Sequence, residues 1–335
     1  MSSLVLAGGY GSGIHVLCMD NGMFRPLYLL RDCENPTYLA ASGNRVYAVN
    51  ETPDKAELAA FILSDTHELS LVNRLHIPGA GACHLSLHQS GKFLFAANYM
   101  SGDAVSCSIG DDGGLVKVLS HVSQEGDASH CHCSVPSPDG GWLLTVNLGT
   151  DAVYSYPVSG GVLSAEPQVF QAELGQGLRH VTFHPNRHVA YLVTEVGNRV
   201  IVLSFVNGNG ALREIQQMNL LPKGHAQQSF ASGVVLSPDG KYLYAANRGF
   251  NHISVFAVDA KSGLLSPAGH YNCGGDWPRD LCISSSGDIL VVANQRSSAI
   301  VSFEICKNTG AVGNVIDKIE MPAPACVLWR DRVNG

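Results

Sequence analysis

Arginine, histidine and glutamate residues recur in this sequence at intervals that place them at equivalent positions of a repeat. Arg179, Arg248 and Arg279 could bind an oxygen-rich anion, because a guanidinium group makes paired hydrogen bonds to a carboxylate or a phosphate. His132 and Glu195 could move a proton. In a protein of formal net charge -7, such a group of arginines would be a local positive focus. These residue types therefore predict acid–base chemistry on a small anion.

When the repeats are aligned, three sets of equivalent positions contain the polar residues that we expect to lie close together at one end of the fold. The first strand of successive repeats begins with Asn35, Cys83, His132, Arg179, Ser232 and Arg279; His84, His180 and Asp280 come one residue later; Tyr10, Glu51, Tyr99, Leu148, Glu195, Arg248 and Gln295 follow the second strand. Residue types vary down these columns, whereas a repeat built only for packing would keep them similar. We assign catalysis to His132, Arg179, Glu195 and Arg248, and substrate binding to His130, His180, Arg279, Gln295 and Glu51. For Arg279, and for His84, His180, His184 and His188 taken singly, an ordinary structural role is the alternative.

The run from Ser129 to Cys133, SHCHC, contains side chains that bind zinc. On a strand, His130 and His132 should face one side and the two cysteines the other, so the four cannot converge on one ion. The HExxH motif and a completing carboxylate cluster are missing from the sequence. We therefore predict neither a metal nor a cofactor, and a metal held by His130, His132 and residues of other repeats is the alternative.

The spacing of the repeat predicts the elements that position these residues. The second strands end at Asn50, Asn98, Asn147, Thr194, Asn247 and Asn294, at intervals of 47 to 53 residues. Each repeat reads as four antiparallel strands with turns such as Asp139-Gly140, which is the unit of a propeller blade. The N-terminal copy lacks a first strand, and residues 325–330 could supply it by pairing with residues 2–8.

We therefore predict an all-β, seven-bladed β-propeller that is closed by the N- and C-terminal strands in one blade. A single domain would span residues 1–335. The alternative, a pair of β-sandwiches, does not explain a nearly constant period through residue 300.

Composition limits the partners and the compartment. With 21 Lys+Arg against 28 Asp+Glu, the chain lacks the positive field that a nucleic acid requires. No apolar run reaches the ~20 residues of a membrane span, and no basic residue precedes the short apolar run at the N-terminus. The ten cysteines contain no CxxC pair and lie partly in strand-like runs, which predicts buried free thiols and a cytoplasmic protein. Composition does not predict the oligomeric state.

Three segments carry a family resemblance: SHCHCSVPSPDG (129–140), GLRHVTFHPNRHVAYLVTEVGNRVIVLSF (177–205) and LSPDGKYLYAANRGFNHISVF (236–256). They resemble the lactonase family of seven-bladed β-propellers, which includes propeller-type 6-phosphogluconolactonases and carboxymuconate cyclases. The family's active-site histidine corresponds to His132, its arginines to Arg179 and Arg248, and its glutamate to Glu195. Leu178 departs from the family pattern, which usually has proline there.

The resemblance implies hydrolysis of a small anionic sugar lactone, 6-phosphogluconolactone or a close relative. A water must then be deprotonated, by Glu195 or His132, while Arg179 and Arg248 hold the substrate and the oxyanion. The sequence has no GxSxG motif, so we do not expect a covalent acyl-enzyme. The alternatives are a lactonising cyclase of the carboxymuconate type and a non-catalytic propeller that binds a ligand or a protein. The sequence does not distinguish a phosphorylated from a plain lactone.

Overall fold

The computed structural model describes residues 3–331 except 12, 125, 127, 186, 187 and 226, and the described residues form 29 β-strands and no helix. The first strands are β1 (Ser3–Gly9), β2 (Ile14–Asp20), β3 (Met23–Leu30), β4 (Leu39–Ser42), β5 (Arg45–Thr52), β6 (Lys55–Leu63), β7 (Leu69–Ile77), β8 (Ala82–Leu87), β9 (Phe93–Asn98), β10 (Asp103–Ile109), β11 (Leu115–Ser123), β12 (Cys131–Pro136), β13 (Trp142–Asn147), β14 (Ala152–Ser159), β15 (Val162–Leu163) and β16 (Gln168–Gln171). The remaining strands are β17 (Leu178–Phe183), β18 (Val189–Thr194), β19 (Arg199–Val206), β20 (Ala211–Asn219), β21 (Phe230–Leu236), β22 (Tyr242–Arg248), β23 (His252–Val258), β24 (Leu265–Asn272), β25 (Pro278–Ile283), β26 (Ile289–Asn294), β27 (Ala299–Ile305), β28 (Val312–Glu320) and β29 (Pro324–Arg330).

These strands form seven antiparallel sheets, which confirms the predicted seven-bladed β-propeller. Six sheets have four strands, and the fourth along the chain has five because two short strands, β15 and β16, pair with different parts of β14. The inner strands β4, β8, β12, β17, β21, β25 and β29 contact their neighbours around a ring. The chain thus returns to the central channel once in every blade.

The two ends of the chain complete one blade, as predicted. Strand β29 pairs with β1 in a register that joins Leu4 to Arg330 and Gly8 to Cys326. Residue 2, which the prediction included, lies outside the described residues. Because β29 contacts both β25 and β4, this pairing closes the ring.

Apolar side chains fill the space between neighbouring blades. Tyr244 and Val255 of one blade pack with Leu281 and Val292 of the next in a single buried cluster. Buried tyrosines add a repeated hydrogen bond: Tyr47, Tyr191 and Tyr244 each donate to the carbonyl oxygen of a turn glycine in the following blade, at 2.9 Å. Each phenol therefore satisfies its polar group while its ring stays in the core.

A β-bulge interrupts five inner strands at the same place. The bulged residues are Cys83 in β8, His132 in β12, Arg179 in β17, Ser232 and Gly233 in β21, and Arg279 in β25. A bulge re-aims side chains and breaks the two-residue alternation of a strand. The expected alternation of His130 and His132 against Cys131 and Cys133 is therefore wrong: His130 precedes the strand, and His132 is the bulged residue.

Removing β29 should open the ring. A chain that ends at Ala323 would leave β1 as an unpaired edge and expose the apolar cluster that Val327 joins with Val5. We expect this variant to aggregate or to melt well below the full chain, as measured by circular dichroism and light scattering.

A chain that ends at Asp331 keeps every residue of β29 and is the matched control, which should melt like the full chain. Equal melting temperatures for the two truncations would contradict ring closure by β29.

Candidate active site

Glu195 joins two arginines of different blades. Its Oε2 atom lies 2.8 Å from Arg248 Nη2 and 3.2 Å from Arg179 Nε. The side chains of Arg179 and Arg248 are 3% and 6% exposed, whereas that of Glu195 is 21% exposed. Glu195 follows strand β18, Arg248 ends β22 and Arg179 is the bulged residue of β17. Two buried positive charges thus share one carboxylate, and this cluster has a net charge of about +1.

The two guanidinium groups differ in how their donors are used. Arg248 donates from Nε to the Phe230 carbonyl oxygen (3.3 Å) and from Nη2 to that of Ala231 (2.9 Å). Arg179 Nε and Nη1 are buried and make no hydrogen bond to any described residue, since the contact of Nε with Glu195 lacks hydrogen-bond geometry. Buried donors of this kind are rare in folded proteins. Arg179 therefore has buried donors without hydrogen-bond partners among the described residues, whereas Arg248 is anchored by two carbonyl oxygens.

Burial makes both arginines weaker bases than usual. It lowers the pKa of Arg179, with the charge of Arg279 adding to the effect and Glu195 opposing it. Burial and the neighbouring Arg179 lower the pKa of Arg248 to about 9. Both groups are positively charged at neutral pH.

A chain of aromatic rings lies beside the arginines in the channel. His132 and His180 have ring centroids 5.1 Å apart, His180 lies 5.4 Å from His84, and His84 lies 4.0 Å from Tyr38. Burial, and then the charge of Arg179, lowers the pKa of His84 to about 3 and holds the pKa values of His132 and His180 well below the ordinary value. All three imidazoles are neutral at neutral pH, so each has one nitrogen that can accept a proton.

A second polar cluster contains Glu51 and Arg279. Tyr10 donates its hydroxyl to the Glu51 carboxylate at 3.1 Å and accepts a hydrogen bond from Arg279 Nη2 at 2.9 Å. Burial is the main reason that the pKa of Tyr10 is raised to about 12, so the phenol keeps its proton. Thr37 Oγ1 also donates to Glu51. Tyr10 therefore links Arg279 to Glu51 through a chain of hydrogen bonds.

The other predicted binding residues occupy distinct places. Gln295 Oε1 is buried without a hydrogen-bond partner among the described residues, as are His132 Nδ1 and His180 Nε2. These three atoms and the free donors of Arg179 form a set of unsatisfied polar atoms. His130 differs, because its ring stacks on Tyr99 at 4.4 Å and its Nδ1 lies 2.9 Å from the Tyr99 carbonyl oxygen. The Nδ1 atom of His130 is therefore already hydrogen-bonded to the backbone.

The placement of Asn35 at the start of a first strand is wrong. The backbone N–H of Glu51 donates to Asn35 O, as that of Tyr99 donates to Gly81 O, so Asn35 corresponds to Gly81 and Thr37 to Cys83. The cause is the turn between β4 and β5, which joins Ser42 to Arg45 and is shorter than the turns of the other blades. Thr37 lies 13 residues before Asn50, whereas His132 lies 15 before Asn147.

Sequence reasoning also missed Tyr38 and Trp277. Tyr38 corresponds to His84 once the register is corrected, and its burial raises the pKa of its hydroxyl. Trp277 lies beside Arg248, whose Cζ is 5.5 Å from the ring centroid. A correct alignment of the second blade would have found Tyr38, whereas no sequence signal marks Trp277.

The site has no metal-binding cluster among the residues that the structure describes. All ten cysteines are free, and only Cys306 is exposed. None of the described segments forms a helix of the length and apolarity that a bilayer crossing requires.

Comparison with known proteins identifies the family. The model of the family "Lactonase, 7-bladed beta-propeller" matches residues 4–329. The chain belongs to this lactonase family. It is 32% identical to the 6-phosphogluconolactonase of Bacillus subtilis over 309 residues, which cover 89% of this chain and 88% of that protein. It is 30% identical to a 6-phosphogluconolactonase of Formosa agariphila, with 90% of each chain covered.

A solved structure resembles nearly the whole chain. The periplasmic gluconolactonase of Pseudomonas aeruginosa superimposes with a TM-score of 0.91 at 27% identity, covering 98% of this chain and 99% of that one. The names of these relatives include both a phosphorylated and a plain sugar lactone.

The carboxylate of Glu195 should stabilise the fold as well as the site. Replacing Glu195 with Gln leaves two buried guanidinium groups without their shared anion. We expect the free energy of unfolding at pH 7 to fall by about 1 to 3 kcal/mol, less than for a fully buried pair because Glu195 is partly exposed. Urea denaturation measures this change. Glu214→Gln, on the exposed side of β20, is the matched control, and equal stability of the two variants would contradict the ion cluster.

Proposed function

We propose that the protein hydrolyses an anionic sugar lactone at the mouth of the channel that contains Arg179, Glu195 and Arg248. The relatives named 6-phosphogluconolactonase and gluconolactonase support sugar-lactone hydrolysis. The observation that carries the assignment to these residues is the unsatisfied guanidinium of Arg179. Its donors are buried, charged and fixed in place before a ligand binds, which is the property required of an oxyanion-stabilising group.

The reaction begins with water. A base removes a proton from the water as its oxygen adds to the lactone carbonyl carbon, and the carbonyl oxygen becomes an oxyanion that Arg179 stabilises. The oxyanion then collapses, the bond from the carbonyl carbon to the ring oxygen breaks, and the ring oxygen takes a proton. The product is an open-chain hydroxy acid, which ionises and releases one proton for each lactone hydrolysed.

His132 is the base in this proposal. Its Nδ1 atom has no hydrogen-bond partner among the described residues, and its lowered pKa keeps the ring neutral and able to accept a proton. Glu195 Oε2 is instead engaged by Arg248 and Arg179. We therefore assign Glu195 to holding the two guanidinium groups. The charge of an anionic substrate would partly neutralise Arg179 and so favour the imidazolium that forms during the reaction.

The partner in this proposal is a small-molecule anionic lactone, and no metal or other cofactor takes part. Ten free thiols fit a reducing compartment, so we place the enzyme in the cytoplasm.

The first test is hydrolysis itself. Wild-type protein should hydrolyse 6-phosphogluconolactone or gluconolactone in a pH-stat assay above the spontaneous rate. Arg179→Ala should lower kcat by about 10² to 10³, because loss of one oxyanion donor costs that much. Arg179→Lys should recover little, since an ammonium group lacks the planar pair of donors.

Arg213→Ala, on the exposed side of strand β20, should keep the wild-type rate. Wild-type rates in both Arg179 variants would exclude Arg179 from catalysis, and a wild-type protein that binds acidic sugars without hydrolysing any lactone would make the propeller a binding module.

The second test separates the two candidate bases. If His132 is the base, His132→Asn should lower kcat by about 10² to 10⁴ with little change in KM, whereas Glu195→Gln should mainly raise KM. The neutral imidazole is the active form and its pKa is lowered, so kcat/KM should stay level as the pH falls through the ordinary histidine value of about 6.5. A kcat that depends on Glu195 and not on His132 would make the carboxylate the base.

A further inference from the structure

Trp277 adopts a backbone conformation that favours glycine. Its φ angle is +66°. The position is a repeated one: the residue after the second strand donates its N–H to the carbonyl of Trp277, Gly177, Gly81 or Asn35 in their respective blades, and to that of His130 in another. Gly81 and Gly177 have φ angles of +69° and +65°. A left-handed residue therefore recurs here in several blades, and glycine is the residue that adopts this conformation without strain.

A tryptophan in this conformation is an outlier, because a bulky side chain crowds the backbone at positive φ. Such strain persists where the surroundings hold it, and it is concentrated at functional sites. The packing of the blade does not need an indole at this place, since two other blades have glycine. What the indole contacts should therefore explain its presence.

The indole lies close to two arginines. The Cζ atom of Arg296 is 3.3 Å from a ring centroid of Trp277, and that of Arg248 is 5.5 Å from it. The ring of Phe230 lies 6.0 Å away. Stacking on an aromatic face orients a guanidinium group while leaving its N–H edge free to bind an anion. Trp277 thus holds the guanidinium group of Arg296 near that of Arg248, which is paired with Glu195.

Arg296 is an exposed cation that the site does not otherwise use. Among the described residues it forms no ion pair within 4.0 Å, although the other arginines of the mouth are bonded to Glu195 or Tyr10. It directly follows Gln295, whose Oε1 is one of the unsatisfied polar atoms. Arg179, whose Nη1 is buried without a hydrogen-bond partner among the described residues, and exposed Arg296 therefore both have donors that the protein does not use.

We propose that Trp277 and Arg296 form a phosphate-binding rim, which makes the protein select phosphorylated sugar lactones over plain ones. The inference rests on the proposed lactonase function. In a 6-phosphosugar lactone the reacting carbonyl and the phosphate are at opposite ends of the molecule. The carbonyl binds at Arg179 deep in the mouth, and the phosphate binds at Arg296 near the solvent.

The test compares two substrates, 6-phosphogluconolactone and gluconolactone, in the same variants. Arg296→Gln should lower kcat/KM for the phosphorylated lactone by about 10- to 100-fold, the range for one charge-assisted contact, and should change it less than twofold for the plain lactone. Trp277→Gly should give the same selective loss and still fold, as checked by circular dichroism, because glycine adopts φ +66° without strain. Arg213→Gln is the control for a general charge effect and should alter neither substrate.

Two results would overturn the rim: equal effects of Arg296→Gln on both substrates, or an unchanged preference in both variants. A wild-type protein that hydrolyses neither lactone would instead contradict the proposed lactonase function. In that case calorimetry with 6-phosphogluconate and gluconate tests the rim directly. Tighter binding of the phosphorylated acid that is lost in Arg296→Gln supports the rim, and equal binding of the two acids overturns it.

Discussion

The pairing of β29 with β1 is the constraint on which the rest of the structure depends. It gives every inner strand a neighbour on both sides, so the channel is enclosed by the seven blades. Inside that ring, a β-bulge at the same place in five strands turns one repeated backbone position toward the mouth. The backbone is thus repeated while the side chain at the bulge is free to vary. A site with His132, Arg179 and Arg279 in adjacent and distant blades follows from this arrangement.

Burying arginines is unfavourable unless their charge is balanced. Glu195 balances Arg179 and Arg248 in part, and the remaining positive charge attracts an anion. The same charge, with burial, keeps the neighbouring imidazoles neutral. One electrostatic arrangement therefore selects the ligand and prepares a proton acceptor, and the anion that binds relieves the repulsion that the imidazolium would meet.

Much of the fold was predictable because a repeat constrains sequence and structure together. The period of 47 to 53 residues and the unpaired strands at the two ends predicted the blades and their closure. Residues such as Glu195 and Arg248 could be grouped because their spacing from the second strand is constant. The same spacing placed Asn35 wrongly at the start of a first strand, because the β4–β5 turn is shorter than the others.

Other features depend on contacts between residues far apart in the sequence. The bulge at His132 is a property of strand pairing, and hydrophobic alternation does not reveal it. The left-handed conformation of Trp277 and its stacking on Arg296 require the neighbouring blades to be in place. The unsatisfied donors of Arg179 likewise emerge only when the side chains around it are known. Tertiary structure, rather than local sequence, determines these details of the site.

The central claim is that the free donors of Arg179 face the reacting end of the substrate. A crystal structure with the stable hydrolysis product 6-phosphogluconate tests it most directly. We expect the product carboxylate to accept hydrogen bonds from Arg179 at about 2.7 to 2.9 Å, with His132 beside it. A carboxylate bound away from Arg179, or a product bound outside the mouth that Glu195 and Arg248 share, would contradict the account.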